Sequence, residues 1–142
     1  NLHKFEKKKE NFLRDSFEKK VIKICKIKKI KILGICRGMQ LYCSINNCEF
    51  KRTKIHYLKK QQKIKIIRNN YLDDKSFHVN SFHNFKIIKS SKKFLDLGFA
   101  EDNSIELSIS TDQLFLGLMF HPERKNHSQK KINKLILNWF SR

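Results

Sequence analysis

Proline occurs once in this chain and glycine four times. So thin a supply leaves no Gly- or Pro-rich linker, and no internal repeat is visible beyond a lysine-rich opening. Long apolar runs are missing too. None approaches the ~18 residues of a membrane span, and no signal-peptide pattern opens the chain. Acid is scarce, with 13 Asp and Glu against 32 Lys and Arg, a formal net charge of +19. Such an excess raises a nucleic-acid reading. Lysine, however, is scattered through every kind of segment beside abundant Ile, Asn and Phe, as AT-rich coding produces. The expectation is therefore solvated lysines, with neither nucleic acid nor membrane as partner. The four cysteines (Cys25, Cys36, Cys43, Cys48) are unevenly spaced and form no double CxxC pattern. That argues against a zinc ribbon and a disulfide framework, and makes a reducing cytoplasm the expected compartment.

What is present suffices for one core. The 142 residues are 39% hydrophobic and include 12 Phe, enough for a single domain spanning 1–142. From Asn11 to Lys28, Phe17, Val21, Ile24 and Cys25 recur at helical spacing, with Asn11 or Asp15 as candidate caps. "KIKILGI" alternates as a strand, and "RGMQLYCSI" after Cys36 reads as a helix. "KIKII" at 63–67 reads as a half-exposed strand, and "FHVNSFHNFKII" at 77–88 as two short strands around a turn. "FLDLGFA", "EDNS" and "IELSIS" form a hairpin. "LFLGLMF" at 114–120 has buried-strand length, and Ile132, Leu135, Ile136, Trp139 and Phe140 mark one face of a closing helix. Helix, strand, cysteine, helix is the grammar of an α/β fold.

The scarce glycines are concentrated. Gly34 and Gly38 flank Cys36 in a G-x-C-x-G segment between a strand and a helix, the pattern of a nucleophile elbow in its cysteine form. The glycines are expected to permit a strained turn, and the helix N-terminus to favour the thiolate. The backbone N–H of Arg37 would stabilise an oxyanion. Gly117 and the sole proline sit in a second segment, where His121-Pro122-Glu123 follows a buried strand. A histidine there can serve a thiol as general base, with the acid two residues on holding its tautomer. His56 and His78 read as surface or loop histidines, Cys25 and Cys43 as packed residues. No third ligand stands at metal spacing beside His121 and Glu123.

"ILGICRGMQ" and "LGLMFHPER" resemble the two signature segments of class I glutamine amidotransferases. The similarity is nearest to the gamma-glutamyl hydrolase branch that includes gamma-glutamyl-gamma-aminobutyrate hydrolase (peptidase C26). "RDSFEKKVIK", "VNSFHNFKI" and "AEDNSIE" agree with it, so the resemblance runs from Arg14 onward. It implies a flavodoxin-like α/β three-layer sandwich, with Cys36 as nucleophile, His121 as base and Glu123 as orienting acid. The reaction implied is cleavage of a gamma-glutamyl amide through a thioester. Arg37, Gly38, Gln40, Ser81, Phe82 and His83 align with segments lining the glutamyl pocket. No metal or organic cofactor is implied. A related branch hydrolyses a gamma-glutamyl nucleotide-amidate, and other relatives hand ammonia to a partner synthase. A basic binding module that keeps the motif only as scaffold is the rival outside enzymology.

The family pattern also has strands before the elbow, including a Gly-Gly loop that supplies a second oxyanion N–H. Nothing upstream of Cys36 matches that loop, and the first residue is Asn1 rather than Met. The expectation is a C-terminal portion of a longer domain, or a truncated remnant with an incomplete oxyanion hole.

Overall fold

A computed structural model describes residues 9–54, 56, 59–67, 71 and 75–142; most of the lysine-rich opening lies outside them. The chain runs α1 (Lys9–Ile27), β1 (Ile32–Ile35), α2 (Arg37–Ile45), β2 (Glu49–Arg52), β3 (Lys59–Ile66), β4 (Ser76–Ser81), β5 (Phe85–Lys89), β6 (Phe94–Ala100), β7 (Ile105–Ser110), β8 (Phe115–Leu118) and α3 (Gln129–Phe140). The strands share one sheet in the order β1-β8-β7-β6-β3-β4, with β5 also pairing β7, and β2 pairing β5. β1 and β8 run parallel. The other described pairings are antiparallel.

Alternation along β8 sorts its side chains to two faces. Leu116, Leu118 and Phe120 meet Ile132, Leu135 and Trp139 of α3, together with Ile64, Ile66, Phe77 and Val79. Phe115 and Met119 face Met39, Tyr42 and Cys43 of α2, with Ile87, Phe94 and Ile105. Helices on both faces of a mixed sheet make a three-layer α/β sandwich, as expected. Each large side chain buried there contributes roughly 1.5–3 kcal/mol. Tyr42 stacks on Phe115, ring centroids 3.7 Å apart and planes within 4°.

Two helices depart from the sequence reading. The stripe of α1 does not face a core: Phe17 is 68% exposed, Ile24 52% and Val21 41%, while Cys25 is half-buried. What α1 turns inward is Ile22, which packs on the α2 core, and buried Asp15. Asp15 and Glu18 both pair with the Arg37 guanidinium, and Glu18 also takes Arg14 at 2.7 Å. The inward face of α1 thus carries an ion-paired contact instead of its apolar stripe. Asn11 and Asp15 lie inside that helix and do not cap it. On α3, Ile132, Leu135 and Trp139 are buried as read, but Phe140 is 47% exposed.

Candidate active site

Cys36 stands between β1 and α2, at the helix N-cap, with φ 46° and ψ −101°. A non-glycine residue at such angles is strained by about 1–3 kcal/mol and persists only where its surroundings dictate it. Its backbone N–H is tied to Leu118 O at 2.6 Å, and its carbonyl accepts from Gln40 N at 3.0 Å. The strain therefore rests on the cysteine itself. None of the glycines has positive φ, which corrects the expectation that glycine would absorb the turn.

Gly34 and Gly117 serve packing instead. They face each other across β1 and β8. A Cβ on Gly34 would stand 2.5 Å from the Phe115 ring, and one on Gly117 2.7 Å from Met39 Cγ. Their smallness lets α2 lie close on the two strands and brings the elbow down to the sheet. Gly38 differs, for nothing lies within 4 Å of where its Cβ would be.

The thiol is not pre-ionised. Burial pushes the Cys36 pKa up to about 11, against a lowering hydrogen bond from Arg37 N–H; Glu106 and Glu123 add to the rise and Arg124 opposes it. The expected lowering at the helix N-terminus is present in the Arg37 amide, but desolvation outweighs that single donor and the net shift is upward.

His121 follows β8 as Cys36 follows β1. Ile35 and Leu118 are register partners, so the two residues leave the same end of adjacent parallel strands. Nδ1 of His121 meets Glu123 Oε1 at 2.6 Å. Burial tends to raise the Glu123 pKa, but the His121 hydrogen bond holds it below the usual carboxylate range. An ionised acceptor at Nδ1 fixes that proton and leaves Nε2 as the basic nitrogen.

A clamp that the sequence reading missed holds the His121 backbone. Asn80 on β4 accepts from His121 N at 2.8 Å and donates to His121 O at 2.9 Å. Asn126 also donates to His121 O at 2.9 Å and accepts from Asn80 N at 2.8 Å. Asn80 lies inside the segment "VNSFHNF", but only its partners, distant in sequence, reveal its task.

The other expected pocket residues take several positions. Gln40 is buried and donates to Phe85 O at 3.1 Å. Ser81 Oγ donates to His56 O at 2.9 Å. The Phe82 ring lies edge-on to His121 with centroids 5.8 Å apart. The side chain of Arg37 turns away to α1, leaving its backbone N–H at the thiol.

His83 belongs to a buried cluster. Its Nδ1 donates to Phe85 O at 2.9 Å, and its Nε2 lies 3.5 Å from Glu106 Oε1. Its ring stacks on His56, 4.9 Å away. His56 is no surface histidine: it is 2% exposed, with Nδ1 2.7 Å from Gln62 Oε1 and Nε2 3.0 Å from Asp102 Oδ2. Asp102 resists the upward push of burial through bonds from Lys86, Ser104 and His56, which hold its pKa well below the usual carboxylate range. His56, His83 and Glu106 have donor atoms within 4.8 Å of one another, and among the described residues they are the set able to hold a metal ion. The cluster ties β7 to the end of β4 at Ser81 and to Phe82 and His83, which follow it.

A strained cysteine and a hydrogen-bonded His–Glu pair thus stand at the same ends of neighbouring strands. The profile of the peptidase C26 family matches residues 3–123. The chain belongs to that family. Over 128 residues it is 34% identical to a gamma-glutamyl-CDP-amidate hydrolase of Campylobacter jejuni, covering 90% of this chain and 59% of that protein. A Schizosaccharomyces pombe protein described as a glutamine amidotransferase is 32% identical, over 87% of this chain and 56% of its own. This peptidase C26 chain thus spans less than two thirds of the curated relatives it matches. Its fold matches a Thermotoga maritima glutamine amidotransferase with TM-score 0.71 at 17% identity, over 94% of this chain and 57% of that one. A GMP synthase component from Thermoplasma acidophilum gives 0.66 at 19%, over 78% and 58%. These likenesses establish the class I glutamine amidotransferase fold. No described helix is long and apolar enough to cross a membrane.

Proposed function

We propose that this chain is the catalytic portion of a gamma-glutamyl amide hydrolase using Cys36, His121 and Glu123. The observation that carries the reading is the shared strand end: a strained cysteine after one strand and, after its parallel neighbour, a histidine hydrogen-bonded to a carboxylate. With the thiol pKa pushed up to about 11, attack needs a base. His121 Nε2 takes the thiol proton as Sγ bonds the gamma-carbonyl carbon. Arg37 N–H donates to the oxyanion that forms. On collapse the carbon–nitrogen bond breaks, and the imidazolium gives its proton to the leaving nitrogen. Water, deprotonated by His121, then cleaves the thioester to release glutamate and restore the thiol.

Gly38 fits as the point where substrate approaches the backbone, since open space lies where its Cβ would stand. The family resemblance assigns Gln40, Ser81, Phe82 and His83 to the wall of the same pocket. All four cysteines are free, which suits work in the cytoplasm. Among substrates the Campylobacter relative favours a gamma-glutamyl nucleotide-amidate. Delivery of ammonia to a synthase would use the same three residues and is separated by whether activity requires a partner protein.

A glutamine-like diazoketone with peptide mapping tests the reading. Labelling is expected at Cys36, blocked by gamma-glutamyl amides and slowed by His121→Ala. In that variant the rate should climb about tenfold per pH unit towards the thiol pKa, because only the thiolate then reacts. Slow, equal labelling of all four cysteines, indifferent to His121, would overturn it.

A further inference from the structure

We propose that His56, His83 and Glu106 form a structural site for a divalent transition-metal ion of the zinc type, buried behind the catalytic residues. The site does not depend on the hydrolase reading, since it holds its ion whatever bond the chain cleaves.

The three side chains come from separate parts of the chain: His56 between β2 and β3, His83 just past β4, and Glu106 on β7. They are 2%, 3% and 0% exposed. Among the described residues theirs is the one group whose donor atoms lie close enough to share an ion, all within 4.8 Å of one another. Glu106 Oε1 stands 3.5 Å from His83 Nε2 and 3.8 Å from His56 Nδ1. Ligand atoms of a tetrahedral zinc ion, each about 2.0–2.1 Å from the metal, are about 3.3–3.4 Å apart. A small turn of the two rings, now 13° from parallel with centroids 4.9 Å apart, brings both nitrogens and the carboxylate onto that geometry.

How the polar atoms are used separates this group from an ordinary buried network. A ligating histidine turns one ring nitrogen to the metal and donates from the other to a carbonyl or carboxylate. Both histidines are placed to do so. His83 Nδ1 donates to Phe85 O at 2.9 Å, and His56 Nε2 faces the Asp102 carboxylate at 3.0 Å. The nitrogens left over, His83 Nε2 and His56 Nδ1, are the ones that meet Glu106. His83 Nε2 and Glu106 Oε2 are buried and make no hydrogen bond. Leaving such groups unpaired in the interior is costly, and a single ion takes up both. With its proton at Nε2, His56 presents Nδ1 to Gln62 Oε1, 2.7 Å away; two acceptors so close need positive charge beside them. Two imidazoles and one carboxylate suit zinc and its neighbours, whereas magnesium and calcium take oxygen ligands.

An ion here braces the floor of the candidate active site. Phe85 O accepts from Gln40 Nε2 as well as from His83, which ties the site to the first turn of α2. Glu106 O accepts from Met119 N at 2.9 Å, just before His121. The Glu106 charge also reaches Cys36, where it helps to raise the thiol pKa. A cation on that carboxylate offsets this influence.

The test purifies the untagged protein from cells grown with zinc and measures its metal content and melting curve before and after dialysis against EDTA. About one zinc per chain is expected. Its removal should lower the melting temperature by several degrees, and Zn²⁺ but not Mg²⁺ should restore it. Glu106→Gln and His83→Ala should each purify without the ion, while His121→Ala should keep it. Protein grown with cobalt should show the visible absorption of a tetrahedral centre and no sulfur-to-cobalt charge-transfer band. No retained metal, or retention that survives both Glu106→Gln and His83→Ala, overturns the site, and a sulfur band does so by placing the ion on a cysteine. Should those variants fail to fold, cobalt spectra of the parent and of His121→Ala decide: the same tetrahedral, sulfur-free signal in both supports the site, and its loss with His121 overturns it. None of these measurements uses a substrate, so their outcome is separate from that of the diazoketone labelling.

Discussion

Alanine at Gly34 and alanine at Gly38 are expected to fail in different ways. At Gly34 the new methyl meets the Phe115 ring at 2.5 Å, and Met39 N lies 3.1 Å away. Phe115 is 1% exposed and stacked on Tyr42, so it has little room to retreat. Overpacking of this kind costs about 1–3 kcal/mol, and Gly34→Ala should lower the melting temperature. At Gly38 a Cβ meets nothing and φ is not positive, so Gly38→Ala should melt with the parent or slightly above it. Its loss should appear as a raised KM for a glutamyl amide, because the methyl fills the face offered to substrate. Melting curves and steady-state kinetics on the two variants check this. A Gly38→Ala enzyme with unchanged KM would remove Gly38 from the pocket. The cluster of glycines around Cys36 was legible in the sequence, but its division of labour was not, since only packing shows which glycine has a neighbour.

At the level of elements, β4 holds the His121 backbone through its Asn80 side chain. Asn80→Ala deletes two hydrogen bonds to the His121 backbone, at 2.8 and 2.9 Å, and strands a part-buried N–H. Such a loss costs about 1–3 kcal/mol. The expected outcome is a drop in kcat larger than the change in KM, with slower labelling of Cys36 at neutral pH. Asn80→Asp keeps the acceptor for His121 N–H and should recover part of the rate. If both variants lose stability alone and keep kcat, Asn80 is only structural. Several elements could be read directly from the sequence. α2 matches the segment "RGMQLYCSI", and the β6–β7 hairpin turns where "EDNS" stands. Local pattern sufficed there because period and turn chemistry coincide with burial. It failed for β2, whose "EFKR" alternates too weakly to announce a strand. It failed for α1 because Arg37, far along the chain, draws in Asp15 and Glu18 rather than the apolar stripe. It failed for His56 because Asp102 and Glu106, which help enclose it, come from far along the chain.

For the whole molecule, the net charge of +19 acts against compaction. Most described lysines project into solvent, and the close ion pairs are few, with Lys89–Glu49 already exposed on both sides. Self-repulsion among scattered like charges is long-ranged and yields to salt, whereas the part-buried Arg37–Asp15 pair is shielded from it. Raising NaCl from roughly 50 to 300 mM shortens the Debye length from about 14 to 6 Å. The melting temperature should therefore rise across that range, most steeply at the low end, and an equal ionic strength of another monovalent salt should act alike. A fall would mean that attractive pairs outweigh repulsion and that the surface is organised rather than merely charged.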